Sequence, residues 1–187
     1  MLPPLARTSI EAQLYMELRP CDCGETEFPW ASSAVVELDA DELGSRYEGT
    51  CPSCGTPREF TFRLPAEIVL AAAGEVRYGD GGPSELLDPG EWLWVADRYA
   101  SSVPAAATGL DPQARRQVRL RVSAAAAAMD EILAFLPAGA DSVPAEAVRS
   151  EMGRAVYADE PGRFDRYRLE VVRDTYRKIL SELDATE

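Results

Sequence analysis

The residues of this chain best suited to chemistry are its four cysteines, which come in two close pairs. Cys21 and Cys23 are separated by one residue, Cys51 and Cys54 by two, and a glycine follows each pair. Tetrahedral Zn²⁺ takes four thiolates that converge on one point, and a glycine permits the tight turn that points backbone N–H groups at the sulfurs. The spacing therefore predicts one structural Zn²⁺ held by all four cysteines.

Other uses of these cysteines stay open at the level of sequence. Two disulfides would suit a secreted chain, and a redox switch or an iron ion would also use paired thiols. The N-terminus has no basic region followed by a long apolar stretch, and no run approaches the roughly 18 apolar residues of a membrane span. We therefore expect a cytoplasmic protein, where metal thiolates are favoured over disulfides.

The segment from about 19 to 65 resembles the zinc-ribbon group of folds. The letters CPSCG at 51–55 match the metal-binding knuckle of that group, whereas CDCG at 21–24 has one intervening residue in place of two. The resemblance implies two knuckles at hairpin tips that grip one zinc ion. Because the first knuckle departs from the pattern, Cys21 is the ligand at which we expect any deviation.

Residue patterns predict a helix and a small sheet around the cysteines. Ile10, Leu14 and Leu18 recur at helical spacing behind the capping-box letters TSIE at 8–11. Phe60 and Phe62 alternate with polar residues, as in a strand with one buried face. The predicted strands are 34–38, 45–50 and 59–64, with a further one at 76–78 before the glycine-rich turn 79–83.

The C-terminal part of the sequence predicts helices. Asp88-Pro89 and Asp111-Pro112 are typical of an N-cap followed by proline in the first turn, and Pro144 has a similar setting. Helices are therefore predicted to begin at 89, 112 and 144, with a last helix at about 163–183. The second, at about 112–136, carries an apolar stripe of Val118, Val122, Ala125, Met129, Ile132 and Leu136.

These elements predict an α+β fold in which a small three-stranded zinc ribbon precedes a three- to four-helix bundle. The predicted divisions are an N-terminal helix and ribbon at 1–65, a connecting segment at 66–87 and the helical bundle at 88–187.

The net charge of the chain restricts the kinds of macromolecule that it is expected to bind. The formal net charge is −13, from 19 basic and 32 acidic residues. Phosphate neutralisation by basic residues dominates non-specific nucleic-acid binding, so DNA, RNA and anionic membranes are disfavoured and a basic protein surface is favoured. Candidate partner-binding residues are the acidic cluster Glu37, Asp39, Asp41 and Glu42 and the pair Trp94 and Arg98, although packing of Trp94 between the ribbon and the bundle is the favoured interpretation.

Two further functions stay open. Arg115, Arg116, Arg119 and Arg121 begin the long helix and could bind an anion or nucleic acid, or simply form a solvated face. An enzyme could use Tyr157, Glu160 and Arg163 near the last helix break, where capping and ion pairing are the plainer interpretation. The chain has no histidine, which excludes Ser-His-Asp and Cys-His nucleophile pairs. We predict a non-enzymatic binding protein, with an immunity or antitoxin-like inhibitor as one form.

Overall fold

The computed structural model describes residues 2–39, 42–67, 71–72, 74–103 and 111–185. The chain divides into two compact units. The first comprises Met1–Val69 with Ser84–Leu86, and the second comprises Leu70–Pro83 with Leu87–Glu187. A three-stranded antiparallel sheet and several helices make the fold α+β, as the sequence predicts.

The first unit contains one helix and the sheet. Helix α1 spans Ser9–Glu17, and strands β1, β2 and β3 span Trp30–Glu37, Leu43–Thr50 and Pro57–Arg63. The strands pair in the order β1-β2-β3, each antiparallel to the next. The first strand therefore begins four residues before its predicted start, because Trp30 already pairs with Gly49.

The start of α1 has the predicted N-cap and, beside it, a buried ion pair. The Thr8 side chain accepts the Glu11 backbone N–H at 3.1 Å, as expected of an N-cap. The fully buried Glu11 carboxylate, however, accepts from the Arg7 backbone and guanidinium and from the Ser84 hydroxyl, the last at 2.7 Å. Ile10 is exposed, contrary to the predicted stripe, so the buried side of the helix lies at Glu11, Leu14 and Met16.

One face of the sheet carries an aromatic cluster that α1 joins. Phe60 and Phe62 lie on this face of β3, and Tyr47 pairs with Phe60 across the strands. Tyr15 of α1 meets the rings of Phe60 and Phe62 edge-on, with centroids 6.2 and 5.5 Å away. Edge-to-face contacts of this kind add to the burial of the rings, so the alternation at Phe60 and Phe62 correctly predicts a strand with one covered face.

The second unit is helical. Helices α2, α3, α4 and α5 span Pro89–Ser101, Pro112–Leu133, Glu151–Asp159 and Arg166–Asp184. Helix α2 packs against α3 and α4, and α3 packs against α5. The starts at Pro89 and Pro112 are confirmed, with Asp88 and Asp111 as side-chain caps. The predicted stripe of α3 is buried from Val118 to Ile132, while Leu136 lies beyond the helix end and is half-buried.

Two predicted boundaries in this unit are wrong. Pro144 precedes only a short 3₁₀ turn, Ala145–Ala147, and the α-helix begins at Glu151. The Arg149 and Ser150 N–H groups donate to the carboxylate of Asp88, which fixes the later start. Likewise, Pro161–Phe164 forms a 3₁₀ turn with Phe164 buried, and the last helix begins at Arg166 rather than near 163.

The strand predicted at 76–78 is also absent from this described part of the chain. Residues 75–78 form no regular element, and the Val76 N–H donates to the Ser123 hydroxyl at 3.1 Å and not to a neighbouring strand. Tyr78 is buried against the ring of Trp92, with centroids 4.9 Å apart. The apolar residues of this segment thus serve packing on helices. Over the described residues, no helix has the length and apolar character needed to cross a membrane.

Candidate metal centre

The second cysteine pair lies at the tip of the β2–β3 hairpin. Cys51 directly follows β2, and its N–H donates to the Thr56 carbonyl at 2.9 Å. The Gly55 N–H donates back to the Cys51 carbonyl, also at 2.9 Å, and Gly55 has a φ of +74°. Glycine adopts this left-handed conformation without steric cost, so the CPSCG sequence closes the turn locally.

The first pair lies in the connection between α1 and β1 and not at a hairpin tip. The Cys21 N–H donates to the Glu25 carbonyl at 2.8 Å, and the Gly24 N–H donates to the Cys21 carbonyl at 2.7 Å. Gly24 has a φ of +91°. The shorter spacing therefore still forms a tight turn that brings both cysteines to one side.

The four sulfurs converge. Cys21 Sγ lies 3.7 Å from Cys54 Sγ, and Cys23 Sγ lies 3.6 Å from Cys51 Sγ. All four sulfur atoms lie within 4.8 Å of one another. With a Zn–S bond of about 2.3 Å, the edge of a regular tetrahedron of sulfurs is about 3.8 Å. All four cysteines are free thiols, and disulfide bonding would require sulfurs about 2.05 Å apart. The spacing fits a single tetrahedral metal ion.

Each of the two turns supplies one buried cysteine and one exposed cysteine. Cys21 and Cys51 are 8% and 1% exposed, whereas Cys23 and Cys54 are exposed. Cys21, at which we expected any deviation, therefore belongs to the inner pair of the cluster.

The exposed thiols differ in acidity. The hydroxyl of Thr56, 3.2 Å from Cys54 Sγ, and the Thr56 backbone lower the pKa of Cys54 to about 6. For Cys23, the Glu25 backbone lowers the pKa, but hydrogen bonds to the other thiols outweigh it and raise the pKa to about 12. Without a metal, a thiolate at Cys54 and a protonated thiol at Cys23 are thus expected, and a bound cation would displace the Cys23 proton.

Two contacts missed by the sequence reasoning tie the turns together. The Ser53 hydroxyl donates to the Glu25 carboxylate, which joins the second turn to the first. Arg58 of β3 donates to the backbone carbonyl of Arg19, just before the first turn, and its guanidinium lies 4.8 Å from the centroid of the Phe28 ring. An arginine four residues after Cys54 and two before Phe60 is the sequence signal that could have suggested this role.

The candidate partner-binding residues belong to both units. Glu37 and Asp39 are exposed, Glu42 is half-buried with its carboxylate 3.6 Å from Arg63, and Asp41 lies outside the described residues. In the second unit, Trp94 is 36% exposed and the Arg98 guanidinium lies 5.6 Å from its ring centroid. Trp92 is fully buried, as expected of two residues on different faces of a helix.

The arginines of α3 are partly engaged within the second unit. Arg119 donates to Asp184 at 2.7 Å and to the Gly74 carbonyl at 2.6 Å. Arg121 donates to the Ser102 carbonyl at 2.7 Å. Arg116 is exposed and Arg115 half-buried, so the four side chains do not gather at a single anion site.

Two of the three residues considered for an enzyme site make contacts within the second unit. Arg163 makes two hydrogen bonds of 2.7 Å to the Asp97 carboxylate. The Tyr157 ring packs on Phe164, and its hydroxyl lies 3.4 Å from the Val143 carbonyl, while Glu160 is exposed at the end of α4.

A cavity of about 720 Å³ lies elsewhere in the second unit, between residues 75–81, α3 and α5. Its wall includes the Asp130–Arg177 ion pair and the buried Tyr78.

Comparison of the chain with models of protein families, with curated proteins and with solved structures gives no match to any of them. The four neighbouring cysteines beside a three-stranded antiparallel sheet are nevertheless compatible with a zinc-ribbon-like metal site.

Proposed function

We propose that this chain is a non-enzymatic protein in which one structural Zn²⁺ stabilises a ribbon, and that it acts by binding another protein with a basic surface. The observation that carries the proposal is the convergence of four thiols at tetrahedral spacing in an acidic unit. Four thiolates fill a tetrahedral ion and leave no position for water or substrate, which is typical of structural sites. Zinc binding of this kind contributes on the order of 10 kcal/mol to folding.

Charge supports a basic partner. The chain has a net charge of −13, and Glu37 and Asp39 are exposed beside the sheet. A negatively charged surface speeds association with cationic proteins and repels the phosphate backbones of nucleic acids. An immunity or antitoxin-like inhibitor that covers the nucleic-acid-binding cleft of a toxin is one such function. A reducing, cytoplasmic compartment would keep the thiols available for the metal.

The alternative of nucleic-acid binding has less support. It would depend on the arginines of α3, of which Arg119 and Arg121 already donate to Asp184, Gly74 and Ser102. A gel-shift assay at low salt with micromolar protein separates the two functions, because a shift that Arg116→Ala abolishes would favour the nucleic-acid regulator.

Native mass spectrometry of the full chain purified from its own host tests the proposal. We expect one zinc ion per chain and a retained protein of basic isoelectric point that dissociates as ionic strength rises from about 0.1 to 1 M, where the Debye length falls to a few ångströms. Ser53→Ala should keep the zinc, whereas Cys51→Ser should lose it. Isolation without any cationic partner, or an association insensitive to salt, would contradict the proposed function.

A further inference from the structure

Strand β1 forms one edge of the sheet. It pairs with β2 along Trp30–Glu37, and no described backbone segment pairs with its outer side. At the other edge, the N-terminal segment adds backbone bonds to β3: Ala6 donates to the Arg63 carbonyl at 3.0 Å, and Arg63 donates to the Pro4 carbonyl at 2.9 Å. In an antiparallel edge strand, alternate residues direct their N–H and C=O groups away from the sheet. The outer side of β1 is therefore a row of backbone donors and acceptors open to another strand.

This edge has few of the features that usually block strand addition. Natural edge strands are protected by lysine, proline, inward charges or bulges. The letters WASSAVVE of β1 include neither proline nor a basic residue, and the one irregularity in register falls between Trp30 and Ser32, at its start. Residues 32–37 pair regularly, and Val35 is 67% exposed. The regular part of the edge is thus long enough for an added strand of ordinary length.

The surroundings of the edge favour a basic occupant. Trp30 and Val35 share the sheet face that carries Tyr47, and the ring centroids of Trp30 and Tyr47 are 5.7 Å apart. Glu37 and Asp39 are exposed at the end of the strand, and the exposed Glu48 lies behind it, with its carboxylate 3.3 Å from the Ser32 hydroxyl. An extended segment that alternates apolar and basic residues would pack its apolar side chains on Trp30 and Val35 and bring the basic side chains of its other face to Glu48. Basic residues at the end of such a segment would lie near Glu37 and Asp39. A second copy of this chain, with the same net charge of −13, would not complement these carboxylates.

We infer that the β1 edge binds an extended, basic segment of a partner protein by strand addition. This inference rests on the proposed function and specifies its binding mode. Backbone hydrogen bonds to β1 supply affinity, and the apolar and acidic side chains around the edge select the segment.

The test uses the full-length, zinc-loaded protein and a short acetylated peptide in which lysine alternates with valine and threonine. Fluorescence anisotropy should show binding that weakens with salt, and hydrogen exchange should show new protection of alternate amides within residues 32–37, those that point away from β2. The same peptide N-methylated along its backbone keeps its charge but cannot form a ladder, so it should not bind. Equal binding of the N-methylated and parent peptides would overturn the inference. Amide protection at another part of the protein, or no binding of the parent peptide, would also overturn it.

Variants of the protein distinguish peptide binding at the β1 edge from attraction by the overall negative charge. Val35→Lys places a cation on the exposed edge and should weaken peptide binding at least about tenfold. Leu120→Lys makes the same kind of change at an exposed position of α3 and should leave affinity unchanged. Glu37→Gln, which leaves the strand sequence otherwise intact, should weaken binding and reduce its salt dependence. Unchanged affinity in both Val35→Lys and Glu37→Gln would contradict strand addition at β1.

Two further results would assign the edge differently. If sedimentation shows a wild-type dimer that Val35→Lys converts to monomer, the edge binds a second copy and the inference fails. If Val35→Lys still retains a basic protein isolated from the host, the inference fails while the proposed function stands.

Discussion

The Cα of Gly153 lies against the carboxylate of Asp88, so close that a Cβ on Gly153 would overlap both carboxylate oxygens. Asp88 caps α2 through Oδ1, which accepts the Glu91 N–H at 3.0 Å. Its Oδ2 accepts the N–H groups of Arg149 and Ser150 at 2.8 and 2.6 Å. One buried carboxylate thus serves the beginnings of two packed helices, and only glycine fits beside it.

Gly153→Ala should therefore destabilise the protein, although alanine normally stabilises a helix interior. We expect a loss of about 2 kcal/mol in the free energy of unfolding, because overlap with Asp88 outweighs the gain in helix propensity. Chemical denaturation measures the difference. Gly82→Ala is the matched control, since its Cβ would meet only the Asp80 carboxylate at 3.4 Å. A more stable Gly153→Ala variant would show that α2 and α4 do not approach as described.

Asp88→Ala should lower the free energy of unfolding by more than the loss of an ordinary helix cap does. It leaves the N–H groups of Glu91, Arg149 and Ser150 without their acceptor in a buried site, for which we expect about 3 kcal/mol or more. Asp111→Ala removes an exposed cap from α3 and should cost about 1 kcal/mol. Equal losses in the two variants would contradict a double role for Asp88.

Removal of the metal should unfold the first unit. A strong chelator should raise the number of thiols that react with a disulfide reagent from none to all four cysteines, with loss of the near-ultraviolet signal of the aromatic cluster. Cys51→Ser and Cys21→Ser should both abolish stoichiometric zinc binding, because both sulfurs belong to the buried pair. Retention of zinc by Cys21→Ser at wild-type affinity would mean that three cysteines suffice.

Arg58→Lys should weaken the attachment of the first metal-binding turn. Lysine cannot both stack a planar group on Phe28 and donate to the Arg19 carbonyl, so we expect about 1–2 kcal/mol less stability and faster zinc release to a chelator. Arg46→Lys is the control, because within the described residues Arg46 makes only a long contact of 3.6 Å with Glu59 on the exposed face. Equal rates of zinc release in the two variants would count against this role of Arg58.

Stability should fall at alkaline pH because of Tyr78. Burial and the neighbouring Tyr99 raise the pKa of Tyr78, since the phenolate is the charged form. Above the unfolded-state pKa of about 10, the unfolded chain loses this proton while the folded chain keeps it, so stability declines by up to about 1.4 kcal/mol per pH unit. Unfolding experiments from pH 8 to 11 should show a smaller decline in Tyr78→Phe. Tyr167→Phe, at an exposed position, should behave as wild type.

The sequence by itself determined the features that depend on neighbours along the chain. Asp88-Pro89 and Asp111-Pro112 begin helices because cap and proline act within one turn, and the alternation at Phe60 and Phe62 gives a strand with one covered face. The four cysteines could be identified as a candidate metal site because each turn is closed by its own backbone bonds and glycine.

Only the tertiary structure decided the features that depend on residues distant in sequence. Glu11 has the position of a capping-box residue, yet its carboxylate binds Arg7 and the distant Ser84. Pro144 carries the local signal of a helix start, but Asp88 sets the start of α4 from 62 residues away in sequence. Strength of a local signal does not reveal which elements meet in the fold. For the same reason, the cysteine spacing predicts a metal site, whereas the openness of the β1 edge follows only from the strand order.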